Sequence, residues 1–218
     1  MGRIIDLSHP VVHGMTTYPG LPGPVITDHL TREASREHYA PGTEFHIGRI
    51  EMVANTGTYL DTPAHRYADG TDLADTPLDR MVNLDTIVVD AVGRPATDAS
   101  DLSGLVMRER AVLIRTDHSR HWGTDGYFRD HPLVTGDAAA WLVEHGAALV
   151  GIDSLNIDDT STGERPAHST LLAAGIPVVE HLCNLDALPG SGFRFSAAPV
   201  AVRGMGTFPV RAYAVVDA

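Results

Sequence analysis

The sequence predicts an α/β fold in one domain spanning residues 1–218, with strands outnumbering the helices that fall between them. Short apolar runs rich in β-branched residues recur at 84–90, 111–116 and 147–153. Helical patterns are few and sit between such runs. No internal repeat, low-complexity tract or linker divides the chain, and 43% hydrophobic content suits a single core.

Taken in order, residues 3–7 read as an opening strand. A loop dense in Pro and Gly follows, from Ser8-His9-Pro10 through Tyr18-Pro19-Gly20 to Pro24, and such punctuation prevents both helix and strand. A long rigid loop of this kind is more often functional than idle. Residues 43–54 alternate as a strand. Asp72 to Met81 carries a short helical stretch interrupted by Pro77. Residues 84–90 and 111–116 are strands, the second buried on both faces. Thr135-Gly136-Asp137 precedes a helix over 137–145, with Gly146 as its C-terminal stop. A strand over 147–153, a polar loop over 156–166 and a short helix over 168–174 ended by Gly175 come next. Ile176 to Glu180 is a strand that delivers a carboxylate at its end, and 197–203 and 209–216 read as closing strands.

The bulk properties exclude several functions. Net charge is −12 with no cluster of basic residues, which argues against a nucleic-acid partner. The lone Cys183 excludes an internal disulfide and fits a reducing compartment. The N-terminus lacks the apolar stretch of a signal peptide, and no apolar run approaches the roughly 20 residues of a membrane span. The expectation is a cytoplasmic protein with a small-molecule partner and no membrane. Twelve histidines are present, and histidine is the commonest metal ligand and titrates near neutrality.

Two stretches can carry chemistry. In Asn55-Thr56-Gly57-Thr58-Tyr59-Leu60-Asp61-Thr62-Pro63-Ala64-His65, Gly57 allows a positive φ or a close backbone approach, and Pro63 holds Thr62 extended. In an extended segment alternate positions share a face, so Asn55, Tyr59, Asp61 and His65 can point into one pocket. The same residues also suit an Asx-type turn, with Asp61 capping local backbone and His65 merely packing. Over 100 residues later, His168 at a helix start precedes Glu180 at a strand end by twelve positions. Imidazole and carboxylate donors without a thiolate suit Zn²⁺, Mn²⁺ or Fe²⁺. Equally, His168 can be a surface residue and Glu180 an ordinary charge. His46 lies in the strand feeding the first stretch and is a candidate replacement ligand. Cys183 lacks a neighbouring base, and Ser154 lacks the Gly-x-Ser-x-Gly elbow of a serine hydrolase.

Four ordered groups of residues together resemble the cyclase family of metal-dependent hydrolases, which includes bacterial kynurenine formamidases. They are Asp6-Leu7-Ser8-His9-Pro10 with Tyr18-Pro19-Gly20; Thr56-Gly57-Thr58 with Asp61, Pro63 and His65; Gly151-Ile152-Asp153-Ser154 with Asn156-Ile157-Asp158; and His168 with Leu171-Leu172, Gly175-Ile176 and Glu180. The resemblance implies a compact swivelling β/β/α fold with a mixed sheet, found as a homodimer or homotetramer, and hydrolysis of an amide, formamide or strained lactam. It places Asp61, His168 and Glu180 as metal ligands, His65 as general acid/base, and Tyr18 and Pro19 in the substrate pocket. Two motif histidines are replaced, by Asn55 and Tyr59. An amide oxygen is a weak ligand for Zn²⁺, and a phenol of pKa about 10 must first ionise.

The resulting expectation is a hydrolase with one Zn²⁺ or Mn²⁺ on Asp61, His168 and Glu180 and proton transfer by His65. Tyr59 and Asn55 would donate to the oxyanion or orient the substrate. Two alternatives stand beside it. One is a metal-free lyase, isomerase or hydrolase using Asp61 and His65. The other is a non-enzymatic family member that binds a small ligand.

Overall fold

The computed structural model describes residues 2–217, and its strands follow the apolar runs of the sequence closely at the centre and less closely at the periphery. In chain order the strands are β1 Arg3–Asp6, β2 Val25–Leu30, β3 Ile47–Glu51, β4 Tyr59–Asp61, β5 Leu84–Asp90, β6 Ala96–Thr97, β7 Ala111–Arg115, β8 Leu133–Val134, β9 Leu149–Ile152, β10 Val178–Glu180, β11 Ser191–Ser196, β12 Thr207–Pro209 and β13 Tyr213–Val216. The α-helices are α1 Arg32–Ser35, α2 Gly136–Glu144 and α3 Pro166–Ala173.

Nine strands form one mixed sheet in the order β1-β13-β11-β5-β7-β9-β10-β4-β12. The four central strands β5, β7, β9 and β10 run parallel, and the flanking pairs are antiparallel. Parallel strands covered on both faces need continuous apolar sequence, and β9 and β10 are buried at every residue. Period-2 alternation divides them between two cores. Val112, Ile114, Val150, Ile152 and Val178 pack with Ala138, Leu142, Ala167, Leu171 and Leu172 of helices α2 and α3. Ala111, Leu113, Leu149 and Val179 face the other way, onto Leu7, Leu60, Phe193, Phe195 and Ala214. The second core draws residues from both ends of the sheet, so the sheet curls around it. The ends meet where Ser8 bridges Leu182 and the Cys183 N–H donates to the Leu7 carbonyl at 3.0 Å. The mixed sheet with helices on one face agrees with the α/β fold expected from the sequence.

Several boundaries differ. Residues 72–81 hold only a 3-10 turn, Leu78–Arg80, because Pro77 denies the helix interior a donor and sits ahead of the turn instead. Residues 197–203 make a single bridge through Pro199 rather than a strand, and the closing strand lies earlier, at β11, where Phe193 and Phe195 alternate with Gly192 and Arg194. Helix α3 begins at Pro166, whose fixed φ suits the first helical position. The expected strand over 43–54 shortens to β3, which pairs with the unanticipated β2 in a separate two-stranded arm. All of β3 and all but the last residue of β2 are exposed; β3 shows in the alternation of 43–54, while β2 (VITDHL) carries no such one-sided apolar pattern.

Strand β4 hydrogen-bonds to β10 on one edge and to β12 on the other. Just beyond it, the 3-10 turn Pro63–His65 lies directly against Gly206. The Thr62 N–H donates to the Gly206 carbonyl at 2.7 Å. A Cβ at position 206 would fall 2.5 Å from the Ala64 carbonyl carbon and still closer to the His65 backbone nitrogen. Backbone cannot yield there as a flexible side chain would, so Gly206→Ala is expected to destabilise the fold by about 2–3 kcal/mol. Urea unfolding near neutral pH measures this, and wild-type stability in the variant would contradict the close approach.

Candidate active site

The register of β4 sets the site. Glu180 stands opposite Tyr59, and Asp61 stands between Val178 on one neighbour and Thr207 on the other. Direct cross-strand partners share a face, so Tyr59, Asp61, Glu180 and Thr207 all point toward α3. Helix α3 brings His168 onto that face. The result is a buried group of Asp61, His168 and Glu180 whose ligand atoms lie within 4.8 Å of one another. His168 Nε2 is 3.6 Å from Asp61 Oδ2 and 3.6 Å from Glu180 Oε1.

Each member is held by a partner behind it. Asp158 accepts from His168 Nδ1 at 2.6 Å and from the backbone N–H groups of Ala167 and His168 at the start of α3. That fixes the ring with Nε2 aimed at the two carboxylates, the arrangement found behind metal-bound histidines. Glu180 accepts from the Ile157 N–H at 2.6 Å and from the Tyr59 hydroxyl at 2.6 Å. Burial opposes charge on His168, but the facing Glu180, Asp158 and Asp61 outweigh it and raise its pKa. Burial and the negative Asp61 raise the pKa of Glu180, against the pull of His168.

Asp61 Oδ2 is buried without any hydrogen-bond partner. An orphaned carboxylate oxygen deep in a protein is costly, and here it faces the Nε2 of His168 and a second carboxylate. A divalent cation satisfies all three and neutralises the surplus negative charge, so these residues fit the metal that the sequence led one to expect. Hard oxygen donors with one imidazole suit Zn²⁺ or Mn²⁺.

His65 stands beside this group through Thr207, a residue that carries no signal in the sequence. Thr207 Oγ donates to Asp61 Oδ1 and lies 2.6 Å from His65 Nδ1. A hydroxyl has one proton, and an ionised carboxylate only accepts. Thr207 therefore accepts from His65 Nδ1–H, which leaves the Nε2 lone pair of His65 free toward the cavity.

That cavity, of about 250 Å³, is lined by Tyr18, Leu21, Asn55, Tyr59, His65, Arg66, Asn156, Arg165, His168 and Glu180. It brings together seven of the eight residues singled out by sequence, counting Asp61 through its contact with His168. Tyr18 forms part of the wall, its hydroxyl donating to the Leu155 carbonyl at 2.8 Å. Pro19, expected in the substrate pocket, is exposed and outside the lining. Tyr59 differs from expectation in its contacts: its proton is committed to Glu180, and burial together with the Glu180 charge holds its pKa far above that of a free phenol. His46 is not near the cluster and pairs with Asp28 in the exposed arm at 2.6 Å. Cys183 is buried with its thiol pushed up to about 12, and the Ser154 hydroxyl donates to the Pro132 carbonyl, so neither is a primed nucleophile. Asp158 and Thr207 were missed as functional residues. Thr207 acts through partners 142 and 146 residues away, whereas Asp158 acts on His168 only ten residues on. A larger cleft of about 520 Å³ lies elsewhere, beside Arg115 and Asp117, whose charges already pair with each other.

Fold and site together define a metal-dependent hydrolase architecture. Residues 5–159 match the family model described as "Putative cyclase", and the chain belongs to that family. Kynurenine formamidase of Bacillus cereus is 28% identical over 212 residues, covering 95% of each chain. A protein of known structure described as a potential metal-dependent hydrolase with cyclase activity superposes with a TM-score of 0.81 at 26% identity, covering all of both chains. Isatin hydrolase A from Labrenzia aggregata shares the fold, with a TM-score of 0.79 at 23% identity over 99% of this chain and 94% of that one.

A layer of aromatic and imidazole rings lies under the cavity. His9 stacks on Trp122 at 4.0 Å, and His181, hydrogen-bonded to the Tyr127 hydroxyl at 2.8 Å, packs against Tyr18 and Tyr59. Burial pushes His9 down to about 4 and lowers His118 and His131 as well. All three are neutral in the fold and gain protons on unfolding below their ordinary value of 6.5. At these three positions the unfolded state then binds more protons, so their contribution to stability is full above about pH 6.5 and falls as pH drops toward 4, while the raised carboxyls of Glu180 and Asp153 act in the opposite direction over the same range. His9 alone loses on the order of 3 kcal/mol across that window. Paired thermal melts from pH 7.5 downward are expected to show His9→Gln gaining on wild type as pH falls toward 4; a difference that stays constant with pH would contradict the assignment.

Proposed function

We propose that the chain hydrolyses the carbon–nitrogen bond of a small amide, formamide or cyclic lactam or imide, using one Zn²⁺ or Mn²⁺ held by Asp61, His168 and Glu180. The observation that carries this reading is the orphaned Asp61 Oδ2 facing His168 Nε2 and Glu180. The activities of kynurenine formamidase and isatin hydrolase among its relatives support the bond class. The cation, when bound, supplies Lewis-acid polarisation of a carbonyl and lowers the pKa of water.

The residues of the chain do the rest. His65 Nε2 accepts a proton from the attacking water, and the same nitrogen returns it to the leaving amine. Thr207 holds the ring in the tautomer that this requires, while Asp61 on the far side of Thr207 favours the imidazolium that forms. Asn55 lines the cavity, and its amide N–H is the donor for the developing oxyanion. Tyr59 positions Glu180 instead of touching the substrate. Tyr18 walls the pocket, and Pro19 sets the turn outside it.

Protein purified without added metal or chelator is expected to hold about one Zn or Mn per chain. His65→Ala keeps that metal and loses about 10²–10⁴ in kcat. Thr207→Val loses about 10–100-fold with an altered pH profile. Absence of metal, with no rescue of activity by Zn²⁺ or Mn²⁺, would sink the reading in favour of a metal-free enzyme; unchanged turnover in His65→Ala would remove the proton-transfer role.

The chain is further read as a homodimer or homotetramer working in the cytoplasm. The lone, buried Cys183 supports a reducing compartment. The β2–β3 arm supports assembly: a two-stranded hairpin is barely stable alone, yet this one exposes Val25, Ile26, Ile47 and Ile50, each more than 40% accessible. No helix among the described residues is long and apolar enough to cross a membrane. Light scattering should give a mass of at least two chains, reduced in Ile26→Asp/Ile50→Asp; a monomeric wild type would exclude the assembly.

A further inference from the structure

We infer that the substrate carries a carboxylate, bound by Arg66 and Arg165 at the mouth of the cavity while the reacting bond lies inside beside His65. This rests on the hydrolase reading for the place of the reacting bond. The two guanidinium groups come from different elements. Arg66 closes the 3-10 turn directly after His65, and Arg165 stands at the N-cap of α3, three residues before His168. Both line the 250 Å³ cavity, and both also line an adjoining open depression of about 410 Å³. Sharing both linings places them at the boundary between the cavity and the surface.

Each head group is tethered by one nitrogen. Arg66 Nε donates to Ser169 Oγ at 3.3 Å. Arg165 Nη1 donates to the carbonyls of Asp159, Thr162 and Glu164 at 2.6–2.9 Å. Among the described residues neither makes an ion pair with a carboxylate; other arginines such as Arg3 and Arg80 are also unpaired, but these two share the lining of one cavity. Tethering fixes direction, and the remaining N–H donors stay uncommitted. A planar fork of donors matches a carboxylate, and Arg binds one more selectively than a point charge would. In a chain of net charge −12, two uncompensated cations at one cavity mouth run against the overall bias. A cation on Asp61 and Glu180 neutralises those carboxylates, which leaves the arginines to an incoming anion. A neutral substrate entering past them would offer these donors only a carbonyl, a weaker acceptor than a bidentate carboxylate.

The test uses metal-loaded enzyme and a matched pair, a formanilide with a ring carboxylate and its methyl ester. Wild type is expected to prefer the acid through KM. Arg66→Gln and Arg165→Gln should each cut that preference about tenfold, again in KM and not in kcat. Arg66 is exposed, so its substitution spares the fold. Arg165→Gln also removes three backbone ties and is read only after its thermal melt matches wild type. Equal KM for acid and ester, or an undiminished preference in Arg66→Gln, overturns the inference. If neither compound is hydrolysed, the hydrolase reading fails for this class, and calorimetric binding of the same pair decides the arginines. Acid-selective binding lost in Arg66→Gln sustains the inference, and binding without selectivity overturns it.

Discussion

Strand β4 has only three residues, yet it is paired on both edges, and the site follows from that pairing. Its register against β10 places Tyr59 opposite Glu180, and its register against β12 places Thr207 opposite Asp61. Because side chains alternate with period 2, a slip of one residue would turn Asp61 and Tyr59 into the second core and bring Leu60 toward α3. Leu60 is fully buried among Leu113, Val179 and Phe195, which anchors the register from behind. On the other side of the motif Gly57 takes φ +66°, with Val11 close against the position a Cβ would occupy, and this turn sets the strand's entry.

The same geometry explains how so much charge is buried. Asp61, Asp158 and Glu180 lie around one imidazole, and burying an unpaired carboxylate is costly. Backbone donors offset most of that cost. Asp158 is met by two N–H groups at the start of α3, where the helix also favours negative charge, and Glu180 is met by the Ile157 N–H. The loop between β9 and α3 thus frames the cluster from one side as β4 does from the other. The oxygen left over, Asp61 Oδ2, is the one that points where a cation belongs.

What the sequence revealed follows from which constraints are local. Buried parallel strands carry continuous apolar runs, so the sheet centre at 84–90, 111–116 and 147–153 was legible. Asp61 and His65 were legible because Gly57 and Pro63 frame them locally, and His168 and Glu180 because helix start and strand end are marked by Pro166 and the Val178-Val179 run. Thr207 was not, since its partners are 142 and 146 residues away and only strand order reveals the pair. Strand order is not written in periodicity. The β2–β3 arm was half legible: 43–54 alternates enough to mark β3, while β2, exposed along nearly its whole length, carries no inward-facing apolar pattern.

On the proposed reading Tyr59 and Asn55 stand where the resemblance puts motif histidines, and the two residues have different consequences. A histidine at position 59 would offer a neutral nitrogen lone pair to a cation. The phenol offers a proton instead, and spends it on Glu180 Oε2. For Tyr59 to become a ligand it would have to ionise while fully buried and against the negative Glu180, and both effects oppose this. The bond to Glu180 is charge-assisted, worth about 1.5–3 kcal/mol, and it leaves Oε1 as the oxygen facing His168. In the proposed function the ligand set would then be limited to Asp61, His168 and Glu180, which would keep positions open for water and a carbonyl. Asn55, by contrast, remains uncharged on the cavity wall, with a donor and an acceptor to present. On that reading Tyr59 would restrict the metal site, while Asn55 would add a polar contact facing the substrate. The pair converts ligand positions into a support for Glu180 and a hydrogen-bonding wall.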